Sequence, residues 1–183
     1  MSRIAACLSA LLLAAAVAQP APAQAAEAPS CLVVYGHGRN IGSADENAAW
    51  DRINGLFNRQ VSEQLQAHGL RAVPLLFRVG ETELAAAVEQ LVDAARRQDC
   101  PRVVDTTVFA DETAGRLIVR LRVHPLLAGG PRAQAAARIG TPLYTSQNDF
   151  DLNRPLDRLQ LDLLARQMVD GYLADRPPAT DPR

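Results

Sequence analysis

The sequence predicts one α/β domain with a mixed sheet: three parallel strands come first, antiparallel hairpins follow, and a long C-terminal helix ends the domain. Three observations predict this fold. Short apolar runs typical of buried strands alternate with amphipathic helical stretches, in the order β-α-β-α-β-β-β-α. Strands joined through helices run parallel by right-handed crossovers. The chain has 183 residues, which suits one domain.

The N-terminal segment has the form of a secretory signal peptide. Arg3 supplies a positive charge, the run from Ile4 to Ala18 is apolar, and Ala23-Gln24-Ala25 has the small-x-small form that signal peptidase cuts. The apolar run is too short for a membrane anchor. We therefore expect a secreted, soluble, periplasmic protein. The chain divides into a signal peptide, a linker, a single domain and a flexible tail, at residues 1–25, 26–30, 31–173 and 174–183.

The first strand and the first helix are marked by clear local signals. Residues 31–35 form a continuous apolar run that leads into a glycine-rich loop, Gly36–Gly42. Ser43 and Glu46 match a capping box at the start of a helix. The inner stripe of this helix follows three- and four-residue steps and consists of Trp50, Ile53, Phe57, Val61 and Leu65.

The second and third strands flank a second helix. Residues 71–77 predict a strand, and Pro74 places it at a sheet edge because proline cannot donate to a strand ladder. A helix is expected from Glu81 to Gln98, and Cys100 enters a third strand that runs to Phe109. The expected inner stripe of this helix is Leu84, Val88, Leu91 and Ala95.

The C-terminal part predicts antiparallel strands and a last helix. Residues 116–123 alternate strictly, as a half-buried strand does. Residues 125–140 suit a loop, and residues 141–151 suit a last strand. Asn153 suits the N-cap of a helix that runs to about residue 173. Its expected inner stripe is Leu161, Leu164, Met168 and Tyr172.

Two cysteines remain after the expected cleavage, and we expect them to form a disulfide. Cys31 and Cys100 each stand at the start of a strand, and the two strands should be parallel neighbours about 4.8 Å apart. An exported protein also reaches an oxidising compartment. Two reduced cysteines are the alternative. Lipidation of Cys31 is not expected, because Ala28-Pro29-Ser30 does not supply the leucine-like residue that lipidation needs.

The element order, with Gly140-Thr141-Pro142-Leu143-Tyr144 ahead of a long amphipathic helix, resembles a group of envelope domains. These are the N-terminal domain of the translocation protein TolB, the LpoB-type activators of penicillin-binding proteins, and the CsgG-like secretion lipoproteins. The resemblance covers most of residues 31–173 and is one of topology and pattern. It implies a non-catalytic periplasmic module that binds protein partners, and it assigns no individual residue a role.

The loop after the first strand is a candidate for chemistry. The strand and loop over Val33–Gly38 resemble the strand and His-Gly loop that build the oxyanion hole in α/β-hydrolases, and the candidate ligand residues are Gly36, His37, Gly38 and Arg39. No serine after residue 25 lies in the nucleophile elbow, Gly-x-Ser-x-Gly, that those enzymes need. The loop also precedes a helix N-terminus, which is a natural anion site, but Asp45 would repel a phosphate there. It remains a candidate ligand loop.

No metal and no cofactor are expected. His37, His68 and His124 are isolated in sequence and lack the paired spacing of metal ligands. Asp149 and Asp151 flank Phe150 as a pair of glycosidase carboxylates could, but solvated acids at a strand edge also explain them.

A basic strand face is the candidate partner surface. Arg116, Ile118, Arg120 and Arg122 recur at every second residue and therefore share one face of a strand. If helices cover only the other face, the arginines form an exposed positive ridge beside Ile118. Arginine is favoured at protein interfaces. A merely solvated strand face is the alternative.

Composition excludes other classes of partner. The net charge is −1, so no basic excess favours nucleic acid or an anionic membrane. Nothing after residue 25 is long and apolar enough to span a bilayer. We therefore expect a non-enzymatic envelope protein that acts through protein contacts, as an accessory of envelope or secretion machinery. The alternatives are a periplasmic small-molecule binder that uses Gly36–Gly42, and a small hydrolase.

Overall fold

A computed structural model describes residues 30–37, 43–78, 83–128, 137–153, 155 and 158–175. The expected signal peptide, the linker up to residue 29 and the tail from residue 176 lie outside the described residues. The helices and strands, in chain order, are β1 (Cys31–His37), α1 (Ala44–Ala67), β2 (Arg71–Phe77), α2 (Leu84–Arg97), β3 (Arg102–Asp111), β4 (Arg116–Leu127), β5 (Arg138–Ile139), β6 (Tyr144–Asp151) and α3 (Leu161–Ala174).

The strands form a six-stranded mixed sheet. β1 lies between β2 and β3 and is parallel to both. β4 is antiparallel to β3, and on its other side it pairs with β6 and, near its end, with β5. The predicted α/β domain with three parallel strands is confirmed. Pro74 lies where the sequence predicts, because among the described strands β2 pairs with β1 alone.

The loop expected over residues 125–140 is partly wrong. β4 continues to Leu127, and Arg138–Ile139 form the short strand β5 beside its end. Backbone hydrogen bonds hold this region on both sides: Leu126 N donates to Pro101 O at 2.8 Å, and Gly140 N donates to Pro125 O at 2.9 Å. Because Pro125 accepts through its carbonyl group, the missing N–H does not break the strand there.

α1 and α3 pack on one face of the sheet. The predicted capping box opens α1: Ser43 N donates to Glu46 Oε2 at 2.8 Å, and Glu46 N donates to Ser43 Oγ at 3.4 Å. The predicted stripe of α1 is buried, with Trp50 partly buried against the same core. The largest contributors to this core are Leu32, Phe57, Leu65, Val104, Leu117, Leu121 and Met168.

Two buried asparagines fix α1 on the sheet. Asn54 donates from Nδ2 to Val108 O at 2.9 Å, and its Oδ1 accepts from Val108 N at 2.7 Å. The β1–β3 pairing ends at Gly36, so the Asn54 amide satisfies backbone groups that extend beyond the neighbouring strand. Asn58 Nδ2 likewise donates to Val34 O at 3.0 Å. These bonds set the position of α1 along the sheet.

α2 packs on the opposite face of the sheet. Leu91 and Ala95 are buried there, as predicted, but Val88 is 43% exposed, so its place in the inner stripe is wrong. Ala87, four residues before Leu91, lies against the sheet instead. The side chain of Leu84 lies outside the described residues. The buried residues of this smaller cluster are Cys31, Val33, Phe77, Leu91, Ala95, Cys100 and Val103.

The predicted disulfide is present in this second cluster. Cys31 and Cys100 are bonded, with their Cα atoms 4.5 Å apart. Both residues are buried, and the bond joins the start of β1 to the turn that leads into β3. It therefore links two strands that are neighbours in the sheet but distant in sequence.

The last helix begins later than the sequence predicts. Asn153 is not its N-cap: the backbone N of Asn153 donates to Asp151 Oδ1 at 2.9 Å, in the turn that leaves β6. α3 starts at Leu161, after Arg158 N donates to Pro155 O at 3.1 Å. The predicted inner stripe is buried, as Leu161, Leu164, Met168 and Tyr172 show. Within the described residues, no helix combines the length and apolar character that crossing a bilayer requires.

Candidate functional site

The arginines of β4 lie on the same side of the sheet as α2. Arg116 is exposed, Arg120 and Arg122 are half-buried, and Ile118 is 8% exposed. The predicted exposed ridge is therefore wrong in two respects: Arg120 and Arg122 are only half-exposed, and Ile118 is buried. We call Arg116, Arg120 and Arg122 the arginine face.

Asp105 is the centre of the polar cluster beneath the arginine face. It lies directly opposite Arg122 in the β3–β4 register and is 1% exposed. Arg122 Nε donates to Asp105 Oδ2 at 2.9 Å, and a second guanidinium nitrogen of Arg122 contacts the same oxygen. Thr107 Oγ1 donates to Asp105 Oδ1 at 2.6 Å. Burying a carboxylate costs several kcal/mol unless it is paired and hydrogen-bonded, so these partners account for its position.

The end of β1 reaches the same carboxylate. His37 Nε2 lies 3.7 Å from Asp105 Oδ1, and the His37 ring stacks on Tyr35 with the ring centres 5.7 Å apart. Burial, and then the negative charge of Asp105, raise the pKa of the Tyr35 phenol well above its ordinary value. Asp105 therefore joins the two regions that the sequence singles out separately, the loop after β1 and the arginines of β4.

Of the candidate ligand loop Gly36–Gly42, only Gly36 and His37 belong to the described residues, and they form the end of β1. Gly38 and Arg39 lie outside the described residues. Gly36 faces α1 rather than the polar cluster: a Cβ there would lie 3.1 Å from Thr106 Oγ1 and 3.2 Å from Asn58 Cβ. The glycine is thus explained by the close approach of the helix.

Arg120 is held by an aromatic ring. Its guanidinium carbon lies 5.1 Å from the centre of the Phe109 ring, and Phe109 is itself buried. A cation above an aromatic face is attracted by the ring quadrupole. Together with the ion pair of Arg122, this contact gives the two half-buried arginines defined positions.

The other candidate residues lie apart from one another. His68 Nε2 is 3.1 Å from Asp170 Oδ1, between the ends of α1 and α3, and His124 Nδ1 is 2.9 Å from Gly140 O. Asp149 and Asp151 are exposed on β6. Among the described residues, no three His, Cys, Asp or Glu side chains come together as a metal site.

The cluster positions side chains rather than presenting a reactive group. Both oxygens of Asp105 accept hydrogen bonds, and Thr107, whose hydroxyl donates to one of them, is 1% exposed. Asp105 is itself 1% exposed, whereas a nucleophile or a general base has to reach its substrate. What this arrangement does is to hold the guanidinium groups of Arg120 and Arg122 in fixed positions.

Sequence reasoning missed Asp105, which is the residue that organises the site. A signal was present: the carboxylate interrupts the run Val103–Phe109, which is otherwise apolar or threonine. A charge in the middle of a buried strand demands a partner. The alternating arginines on the next strand supply one, but choosing Arg122 among them requires the β3–β4 register.

A second surface feature lies between α1 and β2. An open groove of about 980 Å³ runs along this edge of the sheet. Leu56 and Leu76 are each 40% exposed there, and the lining residues Arg52, Arg59 and Glu63 carry charges of both signs. The mixed charge gives this groove no electrostatic preference for one class of partner.

Comparison with known proteins gives structural similarities only. No family model and no curated protein matches the sequence. The chain is similar to the PelC dodecamer from Paraburkholderia phytofirmans, with 11% identity over 79% of this chain and 89% of that chain and a TM-score of 0.37. It is similar to lipoprotein GNA1162 from Neisseria meningitidis, with 12% identity over 82% and 100% and a TM-score of 0.38.

An LpoB domain is also among the similar structures. The LpoB C-terminal domain from Escherichia coli shares 15% identity over 70% of this chain and 87% of that chain, with a TM-score of 0.28. The LpoB-like part of the resemblance predicted from the sequence is thus matched by a solved structure, at low similarity. The resemblances to TolB and to CsgG stay predictions.

Proposed function

We propose that the protein is a non-enzymatic module that is exported to the periplasm and acts there by binding another protein through the arginine face. The observation that carries this proposal is the anchoring of Arg122 by Asp105 and of Arg120 by Phe109. Both arginine residues are still partly exposed. An arginine already held in place loses less side-chain entropy when a partner binds.

The chemistry of the partner follows from this surface. Arg116, Arg120 and Arg122 place three guanidinium groups on one strand of a protein whose net charge is −1, and the Arg122 group is already paired with Asp105. Carboxylates form bidentate bonds with guanidinium groups. We therefore expect an acidic protein surface as the partner, and an association that weakens as salt increases.

The compartment rests on two independent features of the chain. The first 25 residues have the charge and apolar pattern of a secretory signal. The bonded pair Cys31–Cys100 suits a protein that is exposed to an oxidising environment. Both features support work outside the cytoplasm, as part of envelope or secretion machinery.

The test compares two double variants of equal charge. Arg116→Gln with Arg120→Gln removes two charges from the arginine face, whereas Arg52→Gln with Arg59→Gln removes two from α1, on the other side of the sheet. Arg122 is left intact because its removal would leave the buried Asp105 carboxylate without its ion-pair partner. A partner is recovered from an envelope extract with the native protein, and its affinity is then measured for each variant.

The arginine-face variant should bind at least about tenfold more weakly, which corresponds to roughly 1.4 kcal/mol. The α1 variant and His37→Ala should bind like the native protein. If the arginine-face variant binds as well as the α1 variant, the arginine face is not the binding surface. If His37→Ala alone abolishes binding, the loop after β1 is the site instead.

A further inference from the structure

The outer edge of β6 presents a regular row of backbone groups. Among the described strands, β6 pairs with β4 only. Leu152 N donates to Gly115 O at 3.1 Å, which continues the β4–β6 register by one residue. In an antiparallel pair, alternate residues bond to the neighbouring strand. The N–H and C=O groups that point away from β4 therefore belong to Thr145, Gln147, Asp149 and Asp151.

This edge is suited to pairing, unlike the other edge of the sheet. β2 carries Pro74, which lacks an N–H group. β6 has eight residues, no proline, and a strict alternation of half-buried and exposed side chains. Bulges, prolines and lysines are common devices that protect a strand edge. The alternation of β6 shows no bulge, and the chain contains no lysine, so the exposed aspartates are the charges that this edge carries.

We propose that β6 pairs with β6 of a second copy of this chain, antiparallel, about a two-fold axis at Asn148. In this register Gln147 of one copy faces Asp149 of the other, and Thr145 faces Asp151. Each carboxylate then meets a side chain that can donate a hydrogen bond. Within one copy Gln147 Nε2 already donates to Asp149 Oδ1 at 2.9 Å, so the same amide–carboxylate chemistry would operate across the new strand pair.

The neighbouring registers are worse. A shift by one residue would pair outward-pointing groups with groups that already bond to β4, and it would reverse the side-chain faces. A shift by two in one direction places Asp149 directly opposite Asp149, and like charges directly opposite each other destabilise a strand pair. A shift by two in the other direction places Asp151 opposite Leu143, whose N–H already bonds to Val123 O. The Asn148 register alone engages all four outward residues of both strands.

Such a dimer has a consequence for binding. A two-fold axis perpendicular to the sheet leaves corresponding faces on the same side, so the two arginine faces lie side by side on one continuous sheet. A partner with a repeated acidic surface would then bind with avidity. The dimer does not depend on what the arginine face binds, and its test is independent of any partner.

The test uses two single-cysteine additions to the full chain, exported and purified with its native disulfide intact. In Asn148→Cys, the new cysteines of two copies face each other at a non-hydrogen-bonded position, where Cα atoms lie about 4.5 Å apart, within disulfide range. Ser146→Cys is the matched control, on the same face and equally half-buried. In the proposed register residue 146 faces residue 150 of the second copy. The two cysteines at position 146 are therefore four strand positions apart, which is about 14 Å between their Cα atoms.

Under mild oxidation Asn148→Cys should give at least roughly tenfold more covalent dimer than Ser146→Cys, because only the first pair satisfies disulfide geometry. Sedimentation equilibrium of the native protein should show a reversible dimer. Gln147→Pro, which removes an outward N–H and leaves the bonds to β4 in place, should weaken that dimer. Equal crosslinking of the two variants, crosslinking of neither, or a native protein that stays monomeric up to about 1 mM overturns the proposal.

Discussion

Asp105 and Arg122 lie directly opposite each other on β3 and β4 and form an ion pair whose acidic member is buried. The pair connects the loop after β1 to the arginine face, because His37 lies on the other side of the same carboxylate. The net contribution of such a pair to the free energy of unfolding is small, because its attraction mainly offsets the cost of desolvating Asp105. Removing one partner costs more, because the buried charge of the other is then uncompensated. The main effect of the pair is to fix the position of Arg122.

Removing Arg122 alone should therefore destabilise the protein strongly. We expect Arg122→Met to lower the free energy of unfolding by about 3–5 kcal/mol, the range for a buried charge left unpaired. The double variant Arg122→Met with Asp105→Leu should be the more stable of the two, by at least about 2 kcal/mol, because the buried charge is gone. Urea unfolding followed by circular dichroism measures both values.

Arg116→Met is the control for this pair of variants. Arg116 is on the same strand but exposed, so its replacement should change the free energy of unfolding by no more than about 0.5 kcal/mol. If Arg122→Met changes the free energy of unfolding as little as Arg116→Met does, then Arg122 is not needed to stabilise the buried charge of Asp105.

Tyr35 should make the protein sensitive to alkali. Burial and the charge of Asp105 raise the pKa of its phenol above the unfolded value of 10.0. A group whose pKa is raised on folding contributes stability below its unfolded pKa and loses that contribution as the pH rises further. We therefore expect the free energy of unfolding to fall above pH 10, and Tyr35→Phe to reduce this fall.

Ultraviolet titration gives a direct reading of the same effect. The protein has three tyrosines, and the difference between the titration curves of the native protein and Tyr35→Phe isolates the Tyr35 phenol, whose ionisation should lie well above pH 10. The delayed step should be missing from Tyr35→Phe. A difference curve with its step near pH 10 would show that the pKa of Tyr35 is not raised by its surroundings.

The disulfide should be complete in the exported protein. Cys31 and Cys100 are separated by 69 residues, and closing a loop of that size stabilises a protein by about 4 kcal/mol in the chain-entropy model. Mass spectrometry after alkylation should find neither cysteine modified unless the protein is first reduced. Replacing both cysteines by alanine should lower the melting temperature, and two alkylatable thiols in the native protein would contradict the assignment.

Where local sequence patterns specify an element, the structure agrees with the prediction. The capping box at Ser43, the stripe that contains Phe57, and the strand entrances at Cys31 and Cys100 each depend on neighbouring residues or on the right-handed crossover rule. Those signals were enough to predict the parallel strands and the crosslink. The short strand β5 was missed because two residues carry no periodicity.

The site could not be predicted in the same way. The pairing of Asp105 with Arg122 depends on the β3–β4 register, which is set by the exact length of the turn between Asp111 and Arg116 and not by the periodicity of the strands. The exposure of Ile118 could not be read from the alternation alone, because Ile118 lies in the middle of the sheet between Phe109 of β3 and Asp149 of β6. The start of α3 was placed at Asn153 because asparagine is a good N-cap, whereas the turn after β6 uses the Asn153 backbone to bind Asp151 instead.

Asn54 should be among the most sensitive polar residues of the core. Its side chain satisfies both the N–H and the C=O of Val108, which lies two residues beyond the last pair between the described residues of β1 and β3. Asn54→Leu would keep the branching of the side-chain heavy atoms and leave both backbone groups of Val108 buried without partners, at about 1–3 kcal/mol for each group. We expect a loss of about 2–5 kcal/mol in the free energy of unfolding.

Asn54→Asp separates the two bonds, because a carboxylate still accepts from Val108 N but cannot donate to Val108 O. Hydrogen exchange of the Val108 amide should accelerate strongly in Asn54→Leu and less in Asn54→Asp. Exchange at Val108 that stays slow in both variants would mean that another group, and not Asn54, protects this edge of β3.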